Sequence, residues 1–163
     1  MEQTAQQKRN FQLDQIVAES VATLSPTLEQ VDPVVTLDIA EGINCYTYPE
    51  PLGQVIANLL QNALVHGLDG QTQGQVKVSA IVQGDQVRLE VSDNGRGMEP
   101  KVLARVFEPF FTTRLGKGGS GLGLTLAHRI ATTVLSGNLT VRSQLGEGST
   151  FTLTFPMRSP GVI

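Results

Sequence analysis

The chain has 163 residues, of which 40% are hydrophobic and 17% charged, a composition that fits one globular domain and excludes extended disorder. Its formal net charge of −3 argues against nucleic acid as the main partner, because proteins that bind phosphate backbones are usually basic. Membrane spans, a secretory signal, disulfides and multi-cysteine zinc sites are not expected, because the apolar runs are short, the N-terminus is polar and Cys45 is the only cysteine.

The first part of the chain predicts a tail, a helix and a strand. Residues 1–10 are polar and predict a frayed or helical tail. Apolar residues then recur with helical spacing from Phe11 to Leu24, and this pattern should be interrupted at Pro26 or Pro33. The segment Val34–Ile39 has its apolar residues in one phase and predicts a strand.

A second helix is predicted from Pro49 to about His66. Proline is tolerated in a first helical turn, and Gly67 is a good C-terminal stop. Residues 75–83 and 86–92 predict two strands, which we expect to form a hairpin around the intervening Gly-Asp turn.

Glycine and proline interrupt the chain between residues 94 and 120, apart from a short helix near Pro100–Val106. A helix follows from about Gly121 to Leu135, and two final strands cover about Asn138–Ser143 and Ser149–Phe155. The order α, β, α, ββ, loop, α, ββ predicts the α+β class. We expect a two-layer α/β sandwich, with helices on one face of a mixed, mostly antiparallel sheet.

A row of polar residues follows the second predicted helix. Gln54, Asn58, Asn62 and His66 are four residues apart and therefore share one helix face, while apolar residues cover most of the remainder. Beyond its first turn this helix has no Lys, Arg, Asp or Glu, which indicates a half-buried amide face. Two interpretations stay open: the amides bond to neighbouring loops, or they form a site for Mg²⁺, which prefers oxygen ligands. His66 alone is more often a packed residue than a ligand.

The strand predicted over residues 86–92 leads into Asp93. Its apolar residues alternate, and continuing this period places Asp93 on the core-facing side. A buried carboxylate needs donors, and a purine amino group is one such donor, while Gly95 and Gly97 let the backbone pass close to a flat ligand. The alternative is a tight hairpin turn at Asp-Asn-Gly, although the residues after Gly97 do not alternate like a return strand.

The segment FEPFFTTRLGKGGSGLGL combines aromatic, basic and glycine residues. Gly116, Gly118 and Gly121 match G-x-G-x-x-G, but no strand precedes them, and neither a Walker loop nor a protein-kinase catalytic loop is present. The pattern predicts a flexible loop that enters a helix N-terminus, where N–H groups favour phosphate and Arg114 and Lys117 add positive charge. The alternative is a disordered surface loop, against which the aromatic residues argue.

Taken in order, five segments resemble the motifs of one family. NLLQNALVH, DNGRGM, FEPFFTT, GSGLGL and GEGSTFTLTFP are similar to the N box, first glycine box, F box, second glycine box and final glycine motif of histidine kinase catalytic domains. Their superfamily has the Bergerat fold and includes type II topoisomerases, mismatch-repair ATPases and a heat-shock chaperone. The resemblance spans about Phe11 to Pro156. It implies an ATP-binding catalytic domain over residues 11–158, a tail at 1–10 from a missing helical domain and a C-terminal tail at 159–163.

The resemblance implies a role for each matching position. Asn62 would bind Mg²⁺, Asp93 would accept a hydrogen bond from the adenine amino group, and Thr150 would place a hydroxyl near adenine. Residues from about 108 to 120 would form the ATP lid. The set implied to contact nucleotide is Asn62, Asp93, Gly95, Gly97, Met98, Phe107, Phe110, Arg114, Lys117, Gly119, Ser120, Gly121, Leu122, Gly123 and Thr150, and the set implied for catalysis is Asn58, Asn62 and His66.

Two positions depart from parts of the wider superfamily. Asn58 matches a position where the ATPases carry a glutamate that activates water, and an amide cannot act as a general base. This difference favours phosphoryl transfer over hydrolysis. Val65 matches a position where many relatives have a lysine that holds phosphate, so that contact would fall to Arg114, Lys117 or His66.

The implied function is that of a protein-histidine kinase catalytic domain in two-component signalling. It would bind Mg-ATP and donate the γ-phosphate to a histidine on a separate helical dimerisation domain, with a response regulator as an indirect partner. The implied location is the cytoplasm, without membrane contact by this chain, although a parent kinase can be membrane-bound. The alternatives are a nucleotide-sensing or anti-sigma-like switch that transfers no phosphate, and a stand-alone ATPase, against which Asn58 argues.

Overall fold

The computed structural model describes residues 7–68, 73–109 and 123–161. The strands are β1 (Arg9–Gln12), β2 (Val34–Ile39), β3 (Asn44–Thr47), β4 (Gln75–Gln83), β5 (Gln86–Asp93), β6 (Asn138–Gln144) and β7 (Gly148–Pro156). The helices are α1 (Leu13–Ala22), α2 (Ser25–Val31), α3 (Pro49–Asn62), α4 (Pro100–Leu103) and α5 (Gly123–Arg129).

A five-stranded sheet in the order β2-β4-β5-β7-β6 forms one layer of the molecule. Strand β2 pairs parallel with β4, and the other neighbouring strands pair antiparallel. Helices α1, α3 and α5 form the second layer, with α3 packed between the other two. The predicted α+β sandwich with a mixed, mostly antiparallel sheet is therefore confirmed.

The core lies between α3 and the central strands of the sheet. On β5, every second residue is buried, and the same alternation continues to Asp93 at the end of the strand. On α3, the buried residues are Pro49, Pro51, Leu52, Val55, Ile56, Leu59 and Leu60. Because this apolar face points at the sheet, the amides of the same helix lie along its side, where α5 packs.

Helices α3 and α5 both end in a wide turn instead of a regular α-helical turn. Helix α3 continues as a π-helical turn over Ala63–Gly67, in which the N–H of Leu68 donates to the carbonyl of Ala63 at 2.9 Å. Helix α5 continues in the same way over Ile130–Val134. The helix predicted to stop at Gly67 does so, but its last turn holds one residue more than an α-helical turn.

Three short elements were not predicted, namely β1, α2 and β3. The helix predicted from Phe11 begins only at Leu13, because Phe11 belongs to β1. Pro26 lies in the first turn of α2, where a missing N–H costs nothing, so a new helix starts there. The prediction of a frayed or helical tail at 1–10 is wrong for Arg9 and Asn10, which belong to β1 and pair with β3, and residues 1–6 lie outside the described part of the chain.

Strand β3 joins the beginning and the end of the described chain. It pairs antiparallel with β1, and its other edge bonds to the residues that follow β7. The N–H of Tyr46 donates to the carbonyl of Met157 at 2.9 Å, and the N–H of Ser159 donates to the carbonyl of Tyr46 at 2.7 Å. The guanidinium of Arg158 lies 5.3 Å from the centre of the Tyr46 ring. Ser159, expected in a C-terminal tail, is thus part of this small ribbon.

Candidate functional site

The carboxylate of Asp93 lies at the end of β5 with 8% of the residue exposed, as its phase in the strand predicts. The N–H of Gly95 donates to Asp93 Oδ1 at 2.9 Å. Burial raises the pKa of this carboxyl, and hydrogen bonds from the backbone N–H groups of Gly95 and Ser149 partly oppose that rise. Backbone N–H groups therefore stabilise the charge of this buried carboxylate only in part, and a further hydrogen-bond donor would stabilise it more.

Glycines let the backbone pack closely against this carboxylate. A Cβ atom at Gly67 would lie 2.7 Å from Asp93 Cγ, and one at Gly95 would lie 1.7 Å from the carbonyl oxygen of Gly67. That oxygen accepts a hydrogen bond of 3.0 Å from the N–H of Arg96. The end of the wide turn after α3 therefore packs backbone against backbone beside Asp93. The sequence singled out Gly67 only as a helix stop and missed this contact.

The turn between β6 and β7 supports the loop that follows Asp93. Gly97 has a φ of 70°, and a Cβ atom there would lie 2.0 Å from the carbonyl oxygen of Gln144. Gly148 has a φ of 84°, and its Cβ atom would lie 2.0 Å from the carbonyl oxygen of Asp93. The N–H of Met98 donates to Ser143 Oγ at 2.9 Å. The two glycine motifs are thus one packed unit, with each motif holding the other in place.

Thr150 and Ser149 lie on opposite faces of β7. Ser149 pairs in register with Asp93, and both are buried, whereas Thr150 pairs with Ser92 and its Oγ1 lies 3.0 Å from Ser92 Oγ. Successive side chains of a strand point to opposite faces. The hydroxyl on the same face as Asp93 therefore belongs to Ser149, which sequence reasoning did not select, and the expected role of Thr150 near adenine stays a prediction.

The amide face of α3 contains two different environments. Gln54 Nε2 donates to Asn58 Oδ1 at 2.7 Å, and Asn58 Nδ2 donates to the carbonyl oxygen of Gly123 at 3.0 Å. We call this chain of two hydrogen bonds the amide relay. Among the described residues, no partner is found for the half-buried amide of Asn62, one turn further along. His66 lies in the wide turn, half-buried and with an interaction partner.

Phe107 and the first turns of α5 lie next to each other. Thr125 Oγ1 donates to the carbonyl oxygen of Phe107 at 2.9 Å. The Phe107 ring lies 4.9 Å from the His128 ring and 6.2 Å from the Phe151 ring, measured between centroids. Several predicted site residues lie outside the described residues, namely Phe110, Arg114, Lys117, Gly119, Ser120, Gly121 and Leu122.

Neither a multi-residue metal cluster nor a membrane span is found in the described ranges. Within residues 7–68, 73–109 and 123–161, no group of three or more His, Cys, Asp or Glu side chains is arranged to hold a metal ion. No helix in the same ranges is long and apolar enough to cross a bilayer.

Sequence comparison finds relatives among bacterial sensor proteins. The family described as histidine kinase-, DNA gyrase B-, and HSP90-like ATPase matches residues 47–159. The alginate biosynthesis sensor protein KinB of Pseudomonas aeruginosa is 43% identical over 104 residues, 64% of this chain and 17% of KinB. The histidine protein kinase SaeS of Staphylococcus epidermidis is 30% identical over 149 residues, 88% of this chain and 42% of SaeS. The chain thus spans less than half the length of these relatives.

Structural comparison finds the same architecture in solved kinase domains. The nucleotide-free catalytic domain of histidine kinase ThkA superposes with a TM-score of 0.82 at 21% identity, covering 94% of this chain and 97% of that domain. Acinetobacter baumannii histidine kinase AdeS superposes with a TM-score of 0.76 at 24% identity, covering 93% of this chain and 68% of AdeS. At these identities the likeness concerns the fold.

Proposed function

The chain belongs to the family of histidine kinase-, DNA gyrase B-, and HSP90-like ATPases, and on that premise we propose that it binds Mg-ATP and donates the γ-phosphate to a histidine on a separate helical domain. The observation that carries the proposal is the buried carboxylate of Asp93, whose charge backbone N–H groups support only in part. The exocyclic amino group of a flat base would supply a further donor.

The residues around Asp93 have distinct roles in this proposal. Asp93 accepts a hydrogen bond from the amino group of adenine. Ser149, on the same face of the sheet as Asp93, provides a hydroxyl close to the base. Gly95 and Gly97 allow the loop after Asp93 to pack against neighbouring backbone, which holds it beside the proposed base. Met98, Phe107 and the seven predicted site residues that lie outside the described ranges, between Phe110 and Leu122, stay in the proposed nucleotide-contacting set.

Asn62 is the proposed protein ligand of Mg²⁺. Its amide is half-buried and, among the described residues, has no protein partner, so the carbonyl oxygen is available to a hard cation. When bound, the cation would neutralise charge on the phosphates. The chain's own part is to orient the nucleotide and exclude water, with the acceptor imidazole supplied by the other domain.

Incubation with radiolabelled ATP tests this division of labour. The purified chain should bind Mg-ATP yet remain unlabelled, because His66 lies in the wide turn after α3 and His128 packs against Phe107. Adding the helical phosphoacceptor domain of the parent protein should give acid-labile label on that domain. The labelling should be slow, because the tether that raises effective concentration is absent.

Controls separate this function from its alternatives. Acid-labile label on the isolated chain that disappears in His66→Ala or His128→Ala would place the acceptor inside the domain and contradict the proposal. ATP binding without transfer to the helical domain would support a nucleotide-sensing switch. Steady release of phosphate by the chain alone would support an ATPase.

A further inference from the structure

The amide relay connects the nucleotide-facing side of α3 to the first residue described in α5. Asn58 is half-buried, and both ends of its amide are occupied by protein groups. Asn62, one turn away and without a protein partner among the described residues, differs from it in this respect. Two neighbouring asparagines of the same helix face therefore differ in their hydrogen bonding to the protein.

Chemistry fixes the direction of the relay. The carbonyl oxygen of Gly123 can only accept, so the atom of Asn58 that faces it must be Nδ2. Asn58 Oδ1 then faces Gln54, whose amide must present its NH₂ group. Gln54 thereby holds the Asn58 amide in the one orientation that allows it to donate.

The first turn of α5 is held from a second side as well. Thr125 Oγ1 donates to the carbonyl oxygen of Phe107, so residues 123–125 are tied both to α3 and to the segment that ends in Phe107. Both ties use side chains, and neither depends on burial of apolar surface. They add two directional contacts to the packing of α5 against α3.

We propose that Asn58 is a positioning residue, which places the first turn of α5 beside the nucleotide through its bond to Gly123, with Gln54 aligning the amide. This inference rests on the proposed function, because it takes α5 to border the nucleotide site. It also gives a structural reason for an amide at this position. A carboxylate of either length lacks the donor and would set an oxygen against the oxygen of Gly123.

The substitution Asn58→Asp tests the proposal, since it preserves shape and removes the donor. In the nucleotide-free chain, hydrogen exchange of the backbone amides from Ala127 to Ala131 should accelerate. The dissociation constant for Mg-ADP should rise about tenfold, because the hydrogen bond to Gly123 is lost and the carbonyl oxygen of Gly123 then faces a carboxylate oxygen. Gln54→Leu, which leaves the donor but not its alignment, should give a smaller effect of the same kind, roughly threefold.

The matched control is Gln61→Glu, which adds the same charge to the same helix at a side chain outside the relay. It should leave both measurements unchanged. A pH series adds a readout that a purely structural role would not move. The defect of Asn58→Asp should shrink as the pH falls toward the pKa of the new carboxyl, because its protonated form regains a donor, whereas the defect of Asn58→Ala should stay constant.

The outcomes are distinguishable. Unchanged exchange and unchanged affinity in Asn58→Asp would overturn the positioning role. If the unmodified chain does not bind Mg-ADP, the proposed function fails. The exchange measurement on the nucleotide-free chain still decides whether Asn58 holds α5.

Discussion

At the level of single residues, Asp93 combines burial with incomplete support. Two backbone N–H groups stabilise its charge, but burial is the larger effect and raises the pKa. A raised carboxyl pKa means that this group's contribution to stability is fully present below its pKa in the unfolded chain and is lost as the pH rises through the pKa in the folded chain. At neutral pH the ionised carboxylate therefore destabilises the nucleotide-free protein, and a bound donor relieves that cost.

We expect nucleotide affinity to fall as the pH is lowered, beginning above the range in which an exposed aspartate titrates. The proton then competes with the donor group of the base. Asp93→Asn should lower affinity at neutral pH at least tenfold, because a charge-assisted hydrogen bond is worth about 1.5–3 kcal/mol, and should flatten the pH dependence. Calorimetric titration with Mg-ADP across pH measures both, and unchanged affinity in Asp93→Asn would contradict the adenine assignment.

Gly67→Ala should weaken nucleotide binding while the protein still folds. The new methyl group would lie 2.7 Å from Asp93 Cγ, so the carboxylate must move from the position that its backbone donors define. Gly53→Ala is the matched control: its methyl group would lie 3.5 Å from Ser20 Oγ, an ordinary contact, and alanine in a helix interior should stabilise by roughly 0.5–1 kcal/mol. Thermal melting and Mg-ADP titration of both variants check this; equal affinities would show that Asp93 has room to spare.

At the level of elements, α3 is a helix with an apolar face on the sheet and an amide face toward α5. The amide face divides into the relay at Gln54 and Asn58, which bonds to protein, and Asn62, whose amide has no partner in the described ranges. The sequence predicted the face from its spacing but left open whether the amides serve loops or a metal. The geometry gives protein partners to Gln54 and Asn58, and the metal role of Asn62 stays a prediction.

Asn62→Ala should weaken the binding of Mg-ATP far more than the binding of ATP in the presence of a chelator. The lost group is an oxygen ligand for the cation and not a contact to the base. Gln61→Ala, the neighbouring amide on the same helix, should leave both affinities unchanged. Paired titrations with Mg²⁺ and with chelator decide the matter, and an equal loss under both conditions would exclude the metal role for Asn62.

At the level of the whole molecule, strong periodicity was the best guide to structure. The alternation along β4 and β5 predicted both strands, the hairpin and the buried phase of Asp93. The short elements β1 and β3 were missed because four residues are too few for a period, and their pairing depends on a partner distant in sequence. Ser149 was missed because the motif identifies only the segment that contains it. The register of β5 against β7 determines which hydroxyl of that segment lies beside Asp93.

The pairing of β5 with β7 also explains why the roles of the two glycine motifs could not be interpreted from either motif alone. Each of Gly97 and Gly148 approaches the carbonyl of a residue far away in the sequence, and no local pattern carries that information. The contact of Gly67 with Asp93 is equally non-local. The sequence motifs identified the segments that build the site, but the contacts between these segments depend on the tertiary fold.

The wide turn over Ala63–Gly67 makes the length of this segment less strict than that of the regular part of α3. A residue removed from a regular α-helix rotates everything after it by about 100° and shifts it by about 1.5 Å, whereas a residue removed from the wide turn is compensated by a return to regular α-helical bonding. Gly67 would then stay close to its place beside Asp93, where its carbonyl accepts the bond from Arg96. Between Asn62 and Gly67 the chain therefore holds one residue in reserve, and we expect the loss of a residue here to disturb the site less than the same loss between Asn58 and Asn62.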